Sequence, residues 1–349
     1  MTGGSSPERD ATAPSAGATD PVDDATLALL VEVAGTPKPG NVDRRRDLDD
    51  LRFEAFLGGA VGARRGLELA ATVPESEGRA PPPIGEAFER AVSGMAARAG
   101  TNTQFGCLLL LVPLVRAAAD PGRELAPADL DAVCRATTVD DAVAFYRAFE
   151  AVDVAVDDPP EGAADLDVRR GSDAEPALRE RDATLRDVLA LSAESVDSGA
   201  TTDSTDPDRV PDRNAAEWVE GFPRTFRAAE WILTDEGPLA DRAARAFLGL
   251  LAAEPDTLVA STRGAETARE ASGRARAILR PDETGEGDPS GPLGDVTAVD
   301  VDAVHSADLD AAESLAEEFV AEGINPGTTA DLTCAALFVA LRRGAEVPP

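Results

Sequence analysis

The chain is expected to be all-α, a single multi-helix bundle domain with flexible acidic loops. Apolar residues recur at three- and four-residue spacing in segment after segment, as on the buried stripe of a helix. Alternating apolar–polar runs, which a half-buried strand needs, are almost absent. The Gly, Pro and Asp clusters between periodic segments do not divide the apolar segments evenly, which favours one bundle over two domains.

Residues 1–21 are rich in Gly, Ser, Ala and Thr and are expected to form a disordered tail, with the folded domain over 22–349. Asp20-Pro21 offers an N-cap and first helical position for a helix reaching Ala34, with apolar Val22, Leu27, Leu30 and Val31. Gly35 can close it. A second helix is expected from near Asp49, carried by Leu51, Phe53, Phe56, Leu57 and Val61. Three prolines at 81–83 break the chain before a helix over about 84–99. Gly100-Thr101-Asn102-Thr103 then introduces QFGCLLLLVPLVRAAA, too apolar for a surface and expected to lie centrally, with a kink at Pro113. Further helices are expected from Pro127 and over 140–152, 184–196, 214–233, 239–253, 266–279, 308–321 and 328–343. Residues 157–180 show no clear pattern, and 199–213 and 281–295 are polar or acidic and expected to be mobile.

Net charge bounds the partners. The 349 residues carry 65 acidic and 33 basic side chains, a formal charge of -32. Nucleic-acid binders need the opposite balance, and an anionic membrane would repel this surface, so neither is an expected partner. The acidity is spread along the chain, and Lys38 is the only lysine. That composition suits a protein working in concentrated cytoplasmic salt, where self-repulsion is screened within a few ångströms. No apolar run reaches the roughly 18 residues of a membrane span, and residues 1–20 lack the apolar stretch of a signal peptide. A cytoplasmic protein is expected. Cys107, Cys134 and Cys334 stand far apart in apolar stretches and read as buried small hydrophobes; His305 alone supports neither His-based catalysis nor zinc.

The segment richest in chemistry is TPKPGNVDRRRDLDD, residues 36–50. Pro37 and Pro39 stiffen the backbone around Lys38, and Gly40 permits a tight turn. The pattern predicts an ammonium at the tip of a rigid turn beside Asp43 and Arg44. Lysine with arginine suits a polyphosphate. Asp43, Asp47, Asp49 and Asp50 offer the hard oxygens that Mg²⁺ requires, with Asp43 and Asp50 the leading candidates. Retention of one lysine where every other cation is arginine marks the turn as functional.

TPKPGNVDR resembles the signature of the triphosphoribosyl-dephospho-CoA synthase family. Three later segments resemble that family in the same order: GTNTQFGCLLLLVPL (100–114), EPDTLVASTRGAE (254–266) and INPGTTADLTCAALFVAL (324–341). The resemblance implies a reaction that moves the 5-triphosphoribosyl group of ATP to the 2′-hydroxyl of 3′-dephospho-CoA and releases adenine. The product is a prosthetic-group precursor, with an acyl-carrier protein as the downstream partner. RRDLDDLRF replaces the bacterial Gly-Ala-His-x-Asp-Met stretch, which is more like an archaeal branch.

On this resemblance Lys38, Arg44 and Arg263 are expected to bind triphosphate. Asp43, Asp50 and Asp331 are candidates for Mg²⁺, for the general base or for stabilising the cation. Asn102, Thr103 and Asn325, at entries to apolar helices, are expected to present donors to ATP. Asp256 is read as a candidate N-cap, and Glu194, Glu217 and Glu220 as weaker candidates near the site. Trp218, Phe222, Phe226 and Trp231 read as core. Two alternatives stay open: a related nucleotide-dependent ribosyl- or phosphotransferase with another acceptor, and a non-catalytic nucleotide-binding helical protein.

Overall fold

The computed structural model describes residues 19–73, 80–120, 124–160, 162–193, 210–279 and 295–347. Among these there is no strand. The helices, in chain order, are α1 Pro21–Ala34, α2 Phe53–Ala70, α3 Ile84–Ala99, α4 Phe105–Ala117, α5 Pro127–Arg135, α6 Val139–Ala148, α7 Glu175–Glu180 and α8 Leu185–Ala193. They continue as α9 Arg213–Glu220, α10 Pro223–Thr234, α11 Leu239–Ala253, α12 Thr257–Arg263, α13 Ala265–Leu279, α14 Val301–His305, α15 Leu309–Glu322 and α16 Gly327–Arg342. Three short 3-10 turns complete the fold: Ala164–Leu166, Val168–Ala174 and Val296–Ala298. None of the described helices is long and apolar enough to cross a membrane. The expected tail through residue 18, most of the 199–213 and 281–295 segments, and Glu194 lie outside the described residues.

Side-chain caps decide where several helices begin. The Asp20 carboxylate accepts the Val22 N–H at 2.8 Å, and Pro21 opens α1 as expected. The second helix starts later than the apolar pattern suggests, at Phe53 rather than near Asp49. Asp47 reaches forward to take the Phe53 N–H at 2.8 Å, after a turn in which Leu48 N–H donates to Leu51 C=O. The single helix expected over 214–233 is two. Gly221 and Phe222 both sit at positive φ, and Pro223 starts α10. The buried Glu217 carboxylate accepts the Arg224 and Thr225 N–H groups at 3.1 and 2.9 Å, capping α10 from outside its own helix. Glu217 and Glu220 both pair with Arg224 at this corner.

The core forms around α4 and α16. Leu108, Leu110 and Leu111 of α4 are fully buried, and α4 carries Pro113 inside one continuous helix. α16 is buried on nearly every face from Thr328 to Leu341 and packs against α1, α4, α10 and α11. Trp218, Phe222, Phe226 and Trp231 lie in this core, and all three cysteines are buried thiols. On α1 the inward face differs from the sequence expectation: Leu29 and Val33 are buried together with Glu32, while Leu27, Leu30 and Val31 are only partly covered.

Asp256 joins two helix starts. Its carboxylate caps α12 by accepting the Val259 N–H at 3.1 Å and also takes the N–H and hydroxyl of Thr329, both at 2.7 Å, in the first turn of α16. Asp256→Ala leaves these buried donors unmet and should cost about 2–4 kcal/mol of unfolding free energy. Urea denaturation at high KCl measures it, and a loss below about 0.5 kcal/mol would contradict the double cap.

Candidate active site

The 36–46 loop folds inward. Thr36–Pro37 is a cis peptide, and Asn41 N–H closes a turn on Lys38 C=O at 3.2 Å. Gly40, at φ 72°, lies so close to α16's entry that a Cβ would stand 1.9 Å from the Ile324 carbonyl oxygen. The backbone therefore excludes every side chain there. Asp43 is fully buried and ties the loop shut. It accepts the Thr36 hydroxyl at 2.9 Å, the Arg45 N–H at 2.7 Å and the Arg46 guanidinium at 2.7 Å, while its backbone bridges to Arg46.

This placement corrects the expected ammonium at an exposed tip. Lys38 is 1% exposed. Its ammonium forms an ion pair with Glu32 of α1 and donates to Asn41 Oδ1 at 3.0 Å. Asn41 Nδ2 in turn donates to Asn325 Oδ1 at 2.9 Å, joining the loop to the entry of α16. The physical reason is the packing of Gly40 on Ile324, which draws the turn under the chain rather than out to water.

Beside this wall lies a cavity of about 280 Å³. The starts of α4, α9, α12 and α16 converge on it through Gly106, Asn214, Leu258 and Gly327. Several of their first-turn N–H groups are already capped: Asp212 takes those of Asn214 and Ala215, Asp256 those of Val259 and Thr329, and Asn102 that of Phe105. Among the described residues no lysine or arginine lines the cavity. Its carboxylate lining is Glu32, Asp157, Asp158, Asp167, Asp212 and Asp331. Phe105, Phe145 and Phe149 form an apolar wall of edge-on rings, with centroids 4.8 Å apart for Phe105 and Phe149.

Asp331 sits one turn inside α16, half-buried, with its carboxylate held from two sides. Asn214 Nδ2 donates to Oδ2 at 2.8 Å and the Cys107 thiol to Oδ1 at 3.2 Å. Burial pushes this carboxyl up to about 7; the bonds from Asn214 and Cys107 pull the other way, and the charges of Glu32 and Asp256 add to the rise. Burial also raises Asp212, opposed by the Ala215 and Asn214 N–H groups that it caps. Asn214 Oδ1 is buried with no partner, an open acceptor on the cavity wall. The Thr103 hydroxyl, at the start of α4, is likewise unpartnered.

Asn102, Thr103, Asn325 and Asp331, four of the expected site residues, meet at this cavity. Asn102 Oδ1 also accepts the Phe105 N–H at 3.2 Å and so helps to start α4. Lys38 stands one residue back from the lining, and Asp43 is enclosed in the loop. Arg44 and Asp50 are exposed and do not line the cavity; Arg263 is exposed and donates to the Glu322 carbonyl at 2.8 Å. Glu32, Asp212 and Asn214 escaped sequence reasoning. The available signal for Glu32 was an acid between Leu29 and Val33 on an apolar helix face.

Resident magnesium at Asp43 and Asp50 does not fit this arrangement. Asp43 has its oxygens engaged by the loop's own donors, Asp50 faces solvent, and among the described residues no three or more His, Cys, Asp or Glu side chains are grouped to hold a metal.

The fold and cavity define a class: an all-α protein with a carboxylate-lined cavity at the starts of several helices. The family profile for ATP:dephospho-CoA triphosphoribosyl transferase matches residues 18–200 and 209–347, and the chain belongs to that family. Its reaction is triphosphoribosyl transfer from ATP to dephospho-CoA. A crystal structure from Archaeoglobus fulgidus, provisionally described as a triphosphoribosyl-dephospho-CoA synthase, aligns with TM-score 0.55 at 23% identity, covering 82% of this chain and 99% of that one. At that identity the likeness bears on the fold alone. No curated protein matches the chain.

Gly106 gives a direct test of the Asp331 seat. A Cβ there would stand 1.9 Å from Asp331 Oδ2 and 2.6 Å from Asn214 Nδ2. Gly106→Ala should displace the carboxylate and lower kcat by about 100-fold. Its urea midpoint should stay near that of the parent, because alanine favours the helix. Unchanged kcat would show that the seat is not needed for turnover.

Proposed function

We propose that the cavity is where the ribose of ATP is transferred and that Asp331 is the general base. In that step the C1′–N9 bond of ATP breaks and adenine leaves with the bonding pair, taking up a proton to depart as the neutral base. The 2′-oxygen of dephospho-CoA bonds to C1′, and its proton passes to Asp331. Positive charge develops at C1′, which the carboxylate lining stabilises and which a wall of lysine and arginine would oppose. The carrying observation is Asp331 itself, a carboxyl held between Asn214 and Cys107 in the cavity and shifted to about 7, a value suited to proton transfer near neutral pH.

The remaining walls suit the other parts of ATP. The helix starts, with Asn102, Thr103 and Asn325, favour phosphate oxygens. The Phe105, Phe145 and Phe149 wall favours the adenine ring. Triphosphate binding is assigned to these groups rather than to Lys38, Arg44 and Arg263, which do not line the cavity. Magnesium enters as the counter-ion of ATP, not as a resident ion. The acidic composition supports a cytoplasmic setting, and the resemblance supports an acyl-carrier protein as the downstream acceptor of the product.

Adenine release, its pH dependence and an Asp331 variant test this function. Purified protein in high KCl with Mg²⁺-ATP should release adenine only when dephospho-CoA is present. Release without it would indicate another acceptor, and no release would refute the transfer. A base must be deprotonated to act, so kcat/KM should fall about tenfold per pH unit below about 7. Asp331→Asn should remove at least about 10³-fold of kcat. Because the raised carboxyl favours the folded state at acid pH and loses that contribution as pH rises through about 7, the neutral amide should match or exceed the parent Tm at pH 8.

A further inference from the structure

Lys38 is among the largest fully buried side chains, yet it does not line this cavity. Its neighbours do. Glu32, Asn41 and Asn325 all face the cavity, and each is held, directly or through one amide, by the Lys38 ammonium. An ammonium only donates, so its position fixes the direction of every bond that follows. Asn41 must turn its oxygen to Lys38 and its NH₂ to Asn325. Asn325 then accepts with its oxygen and keeps its own NH₂ for the cavity.

We propose that Glu32 is a further catalytic carboxylate, facing the ribose that becomes cationic, and that Lys38 is the positioning residue that keeps it charged and aimed while orienting the Asn41–Asn325 amides. The assignment rests on the cavity being the transfer site. It gives the two carboxylates different tasks, Glu32 remaining ionised beside C1′ while Asp331 takes the proton. Burial raises the Glu32 carboxyl and the Lys38 ammonium offsets part of that rise, while the Glu32 charge contributes to the rise at Asp331. It also accounts for the retained lysine. A planar guanidinium with five donors would neither fill a point between one carboxylate oxygen and one amide oxygen nor leave the amide directions unchanged.

The test separates charge from packing. Glu32→Gln and Lys38→Met each leave one buried polar partner unmatched and should lower Tm by about 5 °C or more. The double variant removes both charges at nearly constant volume and should recover most of that Tm. Its kcat for adenine release should nevertheless stay at least about 100-fold below the parent, with KM for ATP within about threefold. A double variant with parental kcat overturns the proposal, because the pair would then be structural only.

The acid limb of the pH profile is an independent check, open to Glu32→Gln alone if the double variant does not fold. Asp331 faces Glu32, Asp256, Asn214 and Cys107, so losing the Glu32 charge should move the limb to lower pH. An unmoved limb overturns the proposal. A parent protein that releases no adenine overturns the transfer reading and this assignment together, whereas an active parent with an equally active double variant overturns the assignment alone.

Discussion

A buried ammonium is tolerated only when a carboxylate and hydrogen-bond acceptors replace its water. Lys38 meets that condition with Glu32 and Asn41, and one side of the cavity follows from it. Glu32 has to lie at the inner end of α1, the 36–46 loop has to turn under the chain, and Gly40 has to press against the Ile324 carbonyl. Asp43 then closes the loop behind the lysine through Thr36 and Arg46. The end of α1 and the loop that follows it become one wall with the distant entry of α16. The lysine thus reaches the cavity only through its partners, Glu32 and the Asn41–Asn325 amides.

The second constraint is electrostatic. A cavity ringed by carboxylates would repel an anionic substrate if side chains alone decided the field. Backbone dipoles change that balance, since α4, α9, α12 and α16 direct their starts to the same space. The cavity is thus lined by carboxylates and by the first turns of several helices. A molecule with an anionic tail and a sugar carbon that turns cationic matches both. The carboxyls are further differentiated by their partners: Glu32 by an ammonium, Asp212 by backbone N–H groups, and Asp331 by an amide and a thiol.

Much of the helical order was legible because apolar spacing is a local property. The caps were legible only where they act on their own helix. Asp20 announces α1, but nothing near Pro223 says that Glu217 will cap α10, or that Asp256 will cap α16 from another helix. The four resembling segments did bring Asn102, Asn325 and Asp331 to one cavity. Arg44 and Arg263 lie in two of those segments but face outward, and neither motif nor charge fixes which way a side chain faces. Glu32 was missed for the converse reason: on α1 it resembled any polar position until the buried face proved to be the one it shares with Leu29 and Val33.

The amino-acid sequence by itself determined the all-α class, most of the helices, the membership suggested by four ordered motifs, and the singularity of Lys38. Tertiary structure decided that this lysine is buried, that Glu32 and Asn214 belong to the cavity, and that Asp43 serves the loop. The reason is range. Helical periodicity is settled by neighbours three or four residues away. The fate of a charge is settled by whatever is packed against it, and here the bond that carries the lysine's influence to α16 joins residues 284 positions apart.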